Sequence, residues 1–166
     1  LVPVISFGYA HMVSDSSVDS PVDFLTSLRS EALAKHVQPG MRSLEIGAFT
    51  PPTLSRPKFE TSFLDFYSTE ELKEQCIKTG GDPSLVAPVE FVVRGEDYTP
   101  FVDQQFDIVI ANHVLEHIRN PIQWLLMISE ITDGNGILFL SLPDKRYSFD
   151  KFRDETSLAP QPSPHF

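Results

Sequence analysis

The sequence lacks several features that would place it in a class at once. Cys76 is the only cysteine among 166 residues, so an intrachain disulfide is excluded. No apolar run approaches the roughly 20 residues of a membrane-spanning helix, and no basic residue precedes the apolar start, as it would in a signal peptide. Basic residues number 13 against 23 acidic ones, for a formal net charge of -10. Such a surface repels phosphate backbones, and we expect a soluble cytoplasmic protein without nucleic-acid or membrane partners.

Strand-like and helix-like segments alternate between residues 21 and 150, which we interpret as one domain between an N-terminal segment (1–20) and an extended C-terminal tail (151–166). Five strands are predicted, over residues 43–47, 62–66, 89–93, 106–111 and 137–142. Helix starts are predicted at Ser20-Pro21, at the capping-box residues Ser68 and Glu71, and at Asn120-Pro121. The alternation predicts an α/β fold: a doubly wound, mainly parallel Rossmann-like sheet with helices on both faces.

Two helices carry apolar residues whose roles can be predicted. In the helix that begins at Pro121, an apolar edge of Ile122, Leu125 and Leu126 is widened by Trp124, Ile128 and Ile131. We expect that helix to end at Gly134 and Gly136. Cys76 lies on the preceding helix without an activating neighbour, so we interpret it as a packing residue.

Glycine is scarce where a dinucleotide-binding turn would need it. The first predicted strand ends at Gly47, and Phe49 occupies the position of the second glycine in G-x-G-x-x-G, which admits a pyrophosphate. This disfavours a nicotinamide-dependent oxidoreductase. Asp65 ends the second strand, where a carboxylate can accept hydrogen bonds from both hydroxyls of a ribose. Gly47 and Asp65 together indicate an adenosine-type ligand.

Three segments carry a resemblance to a known family. Leu44-Glu45-Ile46-Gly47, Phe63-Leu64-Asp65 and the run from Phe106 to Ile118, with Leu115-Glu116-His117, resemble class I S-adenosylmethionine-dependent methyltransferases. Residues 141–150 resemble one bacterial methyltransferase-domain branch of that superfamily, and the likeness covers about residues 40–155. It implies S-adenosyl-L-methionine as cofactor and a transferase activity.

The resemblance also implies roles for individual residues. The expected cofactor-binding residues are Glu45, Gly47 and Ala48 beside the methionine portion, Asp65 on the ribose, Glu96 and Asp97 near the adenine amino group, and Asn112. His113 would face the methyl acceptor, and we assign it the catalytic role of orienting the acceptor or taking its proton.

Several of these residues have a second interpretation. Asp65 can cap the following turn, and Glu45, inside a strand, can form structural hydrogen bonds to nearby backbone. His113 and His117 have the i, i+4 spacing of metal ligands, but H-E-x-x-H is absent, so we assign no metal site and expect His117 to be a partly buried positioning residue. The segment from Asp144 to Tyr147 can bind an acidic substrate or form a solvated turn.

The predicted sheet also departs from the family pattern of seven strands, because the last two are missing. The fifth strand would then be an exposed apolar edge, which proteins avoid. We expect it to be covered by residues 2–6, by the C-terminal tail, or by a second subunit in a homodimer. The predicted function is methyl transfer to a small-molecule or glycan acceptor, and the alternative is a non-catalytic binding module on a degenerate methyltransferase fold.

Overall fold

The computed structural model describes residues 4–7, 29, 31–33, 35–49, 51–54, 56, 59–95, 97–100, 102–144, 146 and 152. Its centre is a parallel sheet of six strands. The strands are β1 (Val4–Phe7), β2 (Arg42–Ile46), β3 (Glu60–Asp65), β4 (Phe91–Val92), β5 (Phe106–Asn112) and β6 (Thr132–Ser141). Within the described ranges, the helices of at least two turns are α1 (Thr69–Lys78) and α2 (Pro121–Ile131).

The strand order is β1-β6-β5-β2-β3-β4. From β2 the chain winds outward through β3 and β4, and then crosses back to β5 and β6 on the other side of β2. The winding direction therefore reverses between β2 and β5, which confirms the predicted doubly wound fold. All five predicted strands are present, although the third is limited to Phe91–Val92.

A sixth strand covers the edge of β6. Val4 pairs with Leu138 and Phe7 with Ser141, in parallel register. Of the three predicted covers for this apolar edge, the N-terminal segment is the one that pairs with it, and this interaction removes the need for the tail or a second subunit at β6. Tail residues 153–166 and the predicted helix start at Ser20-Pro21 lie outside the described residues.

The core has two layers, one on each face of the sheet. On one face, Val109 and Ala111 of β5 pack with Trp124 of α2. On the other, Ile108 and Ile110 pack with a cluster that includes Leu33, from the first predicted helix, of which residues 29 and 31–33 are described as helical. Successive side chains of β5 point to opposite faces of the sheet, and both sets are buried, as expected for a strand covered on both faces.

Both helices begin where the sequence predicts. Ser68 and Glu71 form a capping box, in which each side chain accepts a hydrogen bond from the other residue's backbone N–H. Asn120 caps α2 by accepting a hydrogen bond from the N–H of Gln123. Cys76 is buried in the contact between α1 and the following segment, as predicted.

The predicted packing face of α2 is wrong in part. Ile122 and Leu126 are 60% and 56% exposed, and the buried residues are Trp124, Met127, Ile128 and Ile131. The helix also ends at Ile131, before the two glycines, because Thr132 adopts an extended backbone conformation and begins β6. No helix within the described ranges is both long and apolar enough to cross a membrane.

Candidate functional site

A cleft of about 780 Å³ opens where the carboxyl ends of β2, β3 and β5 meet. This volume falls within the roughly 300–1,000 Å³ of small-molecule sites, and the position is the winding reversal at which open α/β sheets bind ligands. Gly47, Asp65 and His113, three residues predicted from the sequence, line it. Its apolar wall is formed by Ile46, Leu64, Val93, Val114 and Ile118.

Gly47 lies at the floor of the cleft, directly after β2. Its φ of 69° is in the left-handed region, which favours glycine. A Cβ at this position would also lie 3.2 Å from Cγ2 of Val114. The turn therefore favours glycine, and a Cβ at this position would require the side chain of Val114 to move by a few tenths of an ångström.

Asp65 ends β3 and lies on the wall beside Gly47. Its Oδ1 accepts a hydrogen bond of 2.9 Å from the N–H of Tyr67, so it caps the turn, as one of the two interpretations requires. Burial raises the pKa of Asp65, and the N–H groups of Tyr67 and Phe66 partly offset the increase. Because each carboxylate oxygen has two lone pairs, turn capping leaves the group able to accept further hydrogen bonds.

Glu45 is buried within β2, and its carboxylate faces the loop of residues 51–54. Its Oε2 and Oε1 accept hydrogen bonds from the N–H and the hydroxyl of Thr53, at 2.8 and 2.6 Å. The N–H of Leu54 and Nδ2 of Asn112 donate longer ones, each of 3.4 Å. Burial raises the pKa of Glu45, and these hydrogen bonds lower it again in part. The structural interpretation of Glu45 is the observed one, and contact with a cofactor stays a prediction.

Asn112, the last residue of β5, joins the same network. Its Nδ2 donates to Oγ1 of Thr53 at 2.8 Å. Its Oδ1 is buried, and it is the only buried side-chain oxygen or nitrogen without a hydrogen-bond partner in the part of the chain that the structure describes. Because an unpaired buried acceptor costs about 1–3 kcal/mol, this atom is a candidate to accept a hydrogen bond from a ligand.

Of the predicted cofactor residues, only Gly47 and Asp65 are seen to line the cleft, and the described residues Glu45, Ala48, Asp97 and Asn112 do not. Asp97 caps its own turn by accepting hydrogen bonds from the N–H and hydroxyl of Thr99, and Ala48 packs against Phe63. Glu96 lies outside the described residues, so its role stays a prediction.

His113, which lines the cleft after β5, has a strained backbone. Its φ of 55° is the only positive value of a non-glycine among the described residues, and such strain persists where surrounding structure fixes it. The N–H of His113 donates to the carbonyl of Ser141, which ties it to the end of β6. Burial lowers the pKa of its imidazole, the nearby Arg29 lowers it further, and Glu116 acts in the opposite direction.

Arg29 is a site residue that sequence analysis missed. Its Nη2 lies 2.7 Å from Nε2 of His113, and the two residues are 84 positions apart. No local motif relates them, because tertiary packing brings the N-terminal helix over the end of β5. The only available indication was a basic residue on a predicted helix.

The other charged candidates differ from expectation. His117 lines the cleft but is exposed, so its prediction as a partly buried residue is wrong. Arg146 makes a bidentate ion pair with Asp144 and lowers the pKa of that carboxyl to about 2. The turn after β6 is therefore internally paired, which favours the solvated-turn interpretation, and Lys145 and Tyr147 lie outside the described residues.

Comparisons with known proteins agree with this geometry. A family model described as "Methyltransferase domain" matches residues 22–164. Ribosomal protein L11 methyltransferase of Caldicellulosiruptor bescii is 25% identical over 130 residues, which are 76% of this chain and 42% of that protein. The crystal structure of coclaurine N-methyltransferase bound to N-methylheliamine and SAH shares the fold, with a TM-score of 0.51 and 16% identity over 74% of this chain and 37% of that one. The chain thus spans about two fifths of the length of both, and by its family match it belongs to the methyltransferase-domain family.

Proposed function

We propose that this chain forms the S-adenosylmethionine-binding part of a methyltransferase that acts on a small molecule or glycan. The observation that carries the proposal is that Gly47, Asp65 and His113 line one cleft at the winding reversal, and that β2, which ends beside Gly47, lies between β5 and β3, which end beside His113 and Asp65. This arrangement suits a nucleoside held at one end and an acceptor approaching from the other.

The residues present fit the cofactor. The missing Cβ of Gly47 leaves room for it, and the carboxylate of Asp65 has acceptor capacity for two ribose hydroxyls. The buried Oδ1 of Asn112 has no donor among the described residues, but Asn112 does not line the cleft, so its contact with the cofactor stays a prediction. The bound cofactor supplies an already activated methyl group, so the task of the protein is orientation.

The acceptor class is inferred from the surface and the cleft. A net charge of -10 disfavours nucleic acids, and a cleft of about 780 Å³ admits small molecules or the end of a glycan. The name of the bacterial relative indicates a ribosomal protein as its acceptor. At 25% identity, and with the chain spanning 42% of that protein, this acceptor does not transfer to the present chain.

Calorimetry with S-adenosylmethionine and S-adenosylhomocysteine tests the proposal. We expect both to bind, and Asp65→Ala to weaken binding by about 1–3 kcal/mol, the range for a lost charged acceptor. Asp103→Ala, which removes an exposed carboxylate that does not line the cleft, is the matched control. Asp65→Asn separates the two roles of Asp65, since its amide oxygen can still cap the turn but its charge is gone.

The alternatives predict different outcomes. If neither compound binds the wild-type chain, a non-catalytic binding module becomes the better interpretation. A thermal shift with NADH and none with S-adenosylhomocysteine would revive the oxidoreductase. If Asp65→Asn binds as tightly as the wild type while Asp65→Ala does not, turn capping alone explains the effect.

A further inference from the structure

The guanidinium of Arg29 makes an unusual contact for a cation at the edge of a cleft. It lies against the imidazole of His113, with 2.7 Å between Nη2 and Nε2, and no carboxylate of a described residue pairs with it. Arg146, by contrast, is neutralised by Asp144. Arg29 therefore brings to His113, which lines the cleft, a positive charge that no described carboxylate pairs with.

The contact fixes the protonation state of His113. A guanidinium has only donors and stays charged, so Nε2 must be the unprotonated acceptor and Nδ1 must carry the ring proton. Nδ1 faces Oε1 of Glu116 at 3.5 Å. In this state the lone pair that a general base would use is occupied by Arg29.

The cleft itself carries a second cation. Arg119 lines the same cleft, together with His117, and makes no ion pair with another described residue. These two guanidinium groups are local cations in a chain of net charge -10, although the carboxylates of Asp65 and Glu116 lie at the same cleft and beside His113. A cleft edge of this kind is suited to an anion, because guanidinium groups bind carboxylates and phosphates through paired hydrogen bonds.

We propose that the methyl acceptor is anionic, with a carboxylate or phosphate that draws Arg29 away from His113 and so frees Nε2 to receive the acceptor's proton. This inference rests on the proposed methyl transfer. A charged oxygen pair competes better for a guanidinium than a neutral imidazole does. Neutral acceptors would leave Arg29 in place and His113 blocked, so Arg29 acts as a specificity residue.

Nuclear magnetic resonance of the imidazole nitrogens of His113 tests directly whether an anion replaces His113 as the partner of Arg29. The whole chain, with and without S-adenosylhomocysteine, is titrated with benzoate, phenyl phosphate and the neutral benzamide at constant ionic strength. We expect at least one of the two anions to shift Nε2 and raise the pKa of His113 by removing Arg29, and benzamide to do neither. Comparison of benzoate with phenyl phosphate distinguishes a carboxylate from a phosphate.

Two variants locate the effect. Arg29→Gln should raise the pKa of His113 before any anion is added, and weaken binding of the anion about tenfold, the loss expected for one charge-assisted hydrogen bond. Arg42→Gln removes a cation at the start of β2, outside the cleft, and should leave both measurements as in the wild type.

The outcomes separate this inference from the proposed function. Equal responses to the anions and benzamide, or an unchanged His113 titration in Arg29→Gln, would overturn the role of Arg29. If S-adenosylhomocysteine binds and no anion changes the Nε2 resonance or the pKa of His113, the acceptor inference fails and the methyltransferase proposal stands. If an anion changes both and S-adenosylhomocysteine does not bind, the anion site stands and the methyltransferase proposal fails.

Discussion

Two clusters of polar residues follow strands at the same edge of the sheet, and they differ in burial. The Glu45 cluster, formed by Glu45, Thr53 and Asn112, is largely buried and ties the loop after β2 to the end of β5. The Asp144 turn, formed by Asp144 and Arg146 after β6, is exposed at Arg146, and its two residues form an ion pair with each other. Both looked like ligand-binding candidates in the sequence. Burial determines how much each cluster contributes to stability, because a buried charge must be paired and an exposed charge is already stabilised by water.

Loss of the buried carboxylate should have the largest effect on stability. Glu45→Ala removes the acceptor for two backbone N–H groups and the Thr53 hydroxyl, and we expect a loss of about 2–4 kcal/mol in the free energy of unfolding. Urea denaturation measures it. Glu60→Ala, at the exposed start of β3, should change the value by less than about 0.5 kcal/mol. Equal effects would remove the distinction between buried and exposed carboxylates.

Substitutions of two glycines test whether the turn after β2 shapes the ligand site. Gly47 and Gly40 both have positive φ, but only a Cβ at Gly47 meets another side chain, that of Val114. We expect Gly47→Ala and Gly40→Ala each to cost about 1–2 kcal/mol of stability, and only Gly47→Ala to weaken S-adenosylhomocysteine binding more than about tenfold. Thermal unfolding and calorimetry measure the two effects. Unchanged binding in Gly47→Ala would separate the glycine from the ligand site.

His113 is half-buried and should show an intermediate, pH-dependent effect. Its pKa in the folded chain is lowered from 6.5, so between the folded pKa and 6.5 the unfolded chain binds more protons. The contribution of His113 to stability is therefore complete above pH 6.5 and is lost as the pH falls through the folded pKa.

Urea midpoints of wild type and His113→Asn between pH 8 and 5 measure this effect. The wild type should lose stability relative to the variant as the solution is acidified, since asparagine tolerates the left-handed backbone and does not titrate in this range. Glu116→Gln should widen the affected pH range, because Glu116 opposes the shift. Parallel pH profiles of wild type and His113→Asn would contradict the lowered pKa.

The exposed pair should show the smallest effect. Arg146→Ala is expected to change the free energy of unfolding by less than about 0.5 kcal/mol, as is usual for exposed ion pairs. The pKa of Asp144 should nevertheless rise from about 2 towards its ordinary value, because its hydrogen bonds to Arg146 are the cause of the shift. Carboxyl carbon resonances followed through an acid titration measure it, and a pKa that stays low would mean that another group stabilises the carboxylate.

The sequence predicted features that depend on short-range patterns. Alternating or continuous apolar runs identified the five core strands, and the hydroxyl-to-carboxylate spacing at Ser68 and Glu71 identified the start of α1. Gly47 and Asp65 could be placed together because carboxyl ends of parallel strands share one edge of a sheet. Each of these inferences uses only local spacing or a topological rule.

What the sequence did not predict depends on tertiary packing. The buried face of α2 could not be chosen, because apolar residues such as Ile122 and Trp124 surround the helix and its periodicity is weak. The Arg29–His113 contact joins segments 84 positions apart, and no spacing rule links them. Whether Glu45 binds a ligand or a loop depended on Thr53, eight positions away, and no sequence motif linked the two residues.

The pairing of β1 with β6 has a consequence for how the sheet assembles. Val4 pairs with Leu138, so this edge of the sheet closes only when two segments far apart in the sequence meet. Pairings between distant segments form slowly, because a long loop must be closed first. Until β1 pairs, the apolar edge of β6 is open to other chains, and we expect this interval to be one in which the folding chain is prone to aggregate.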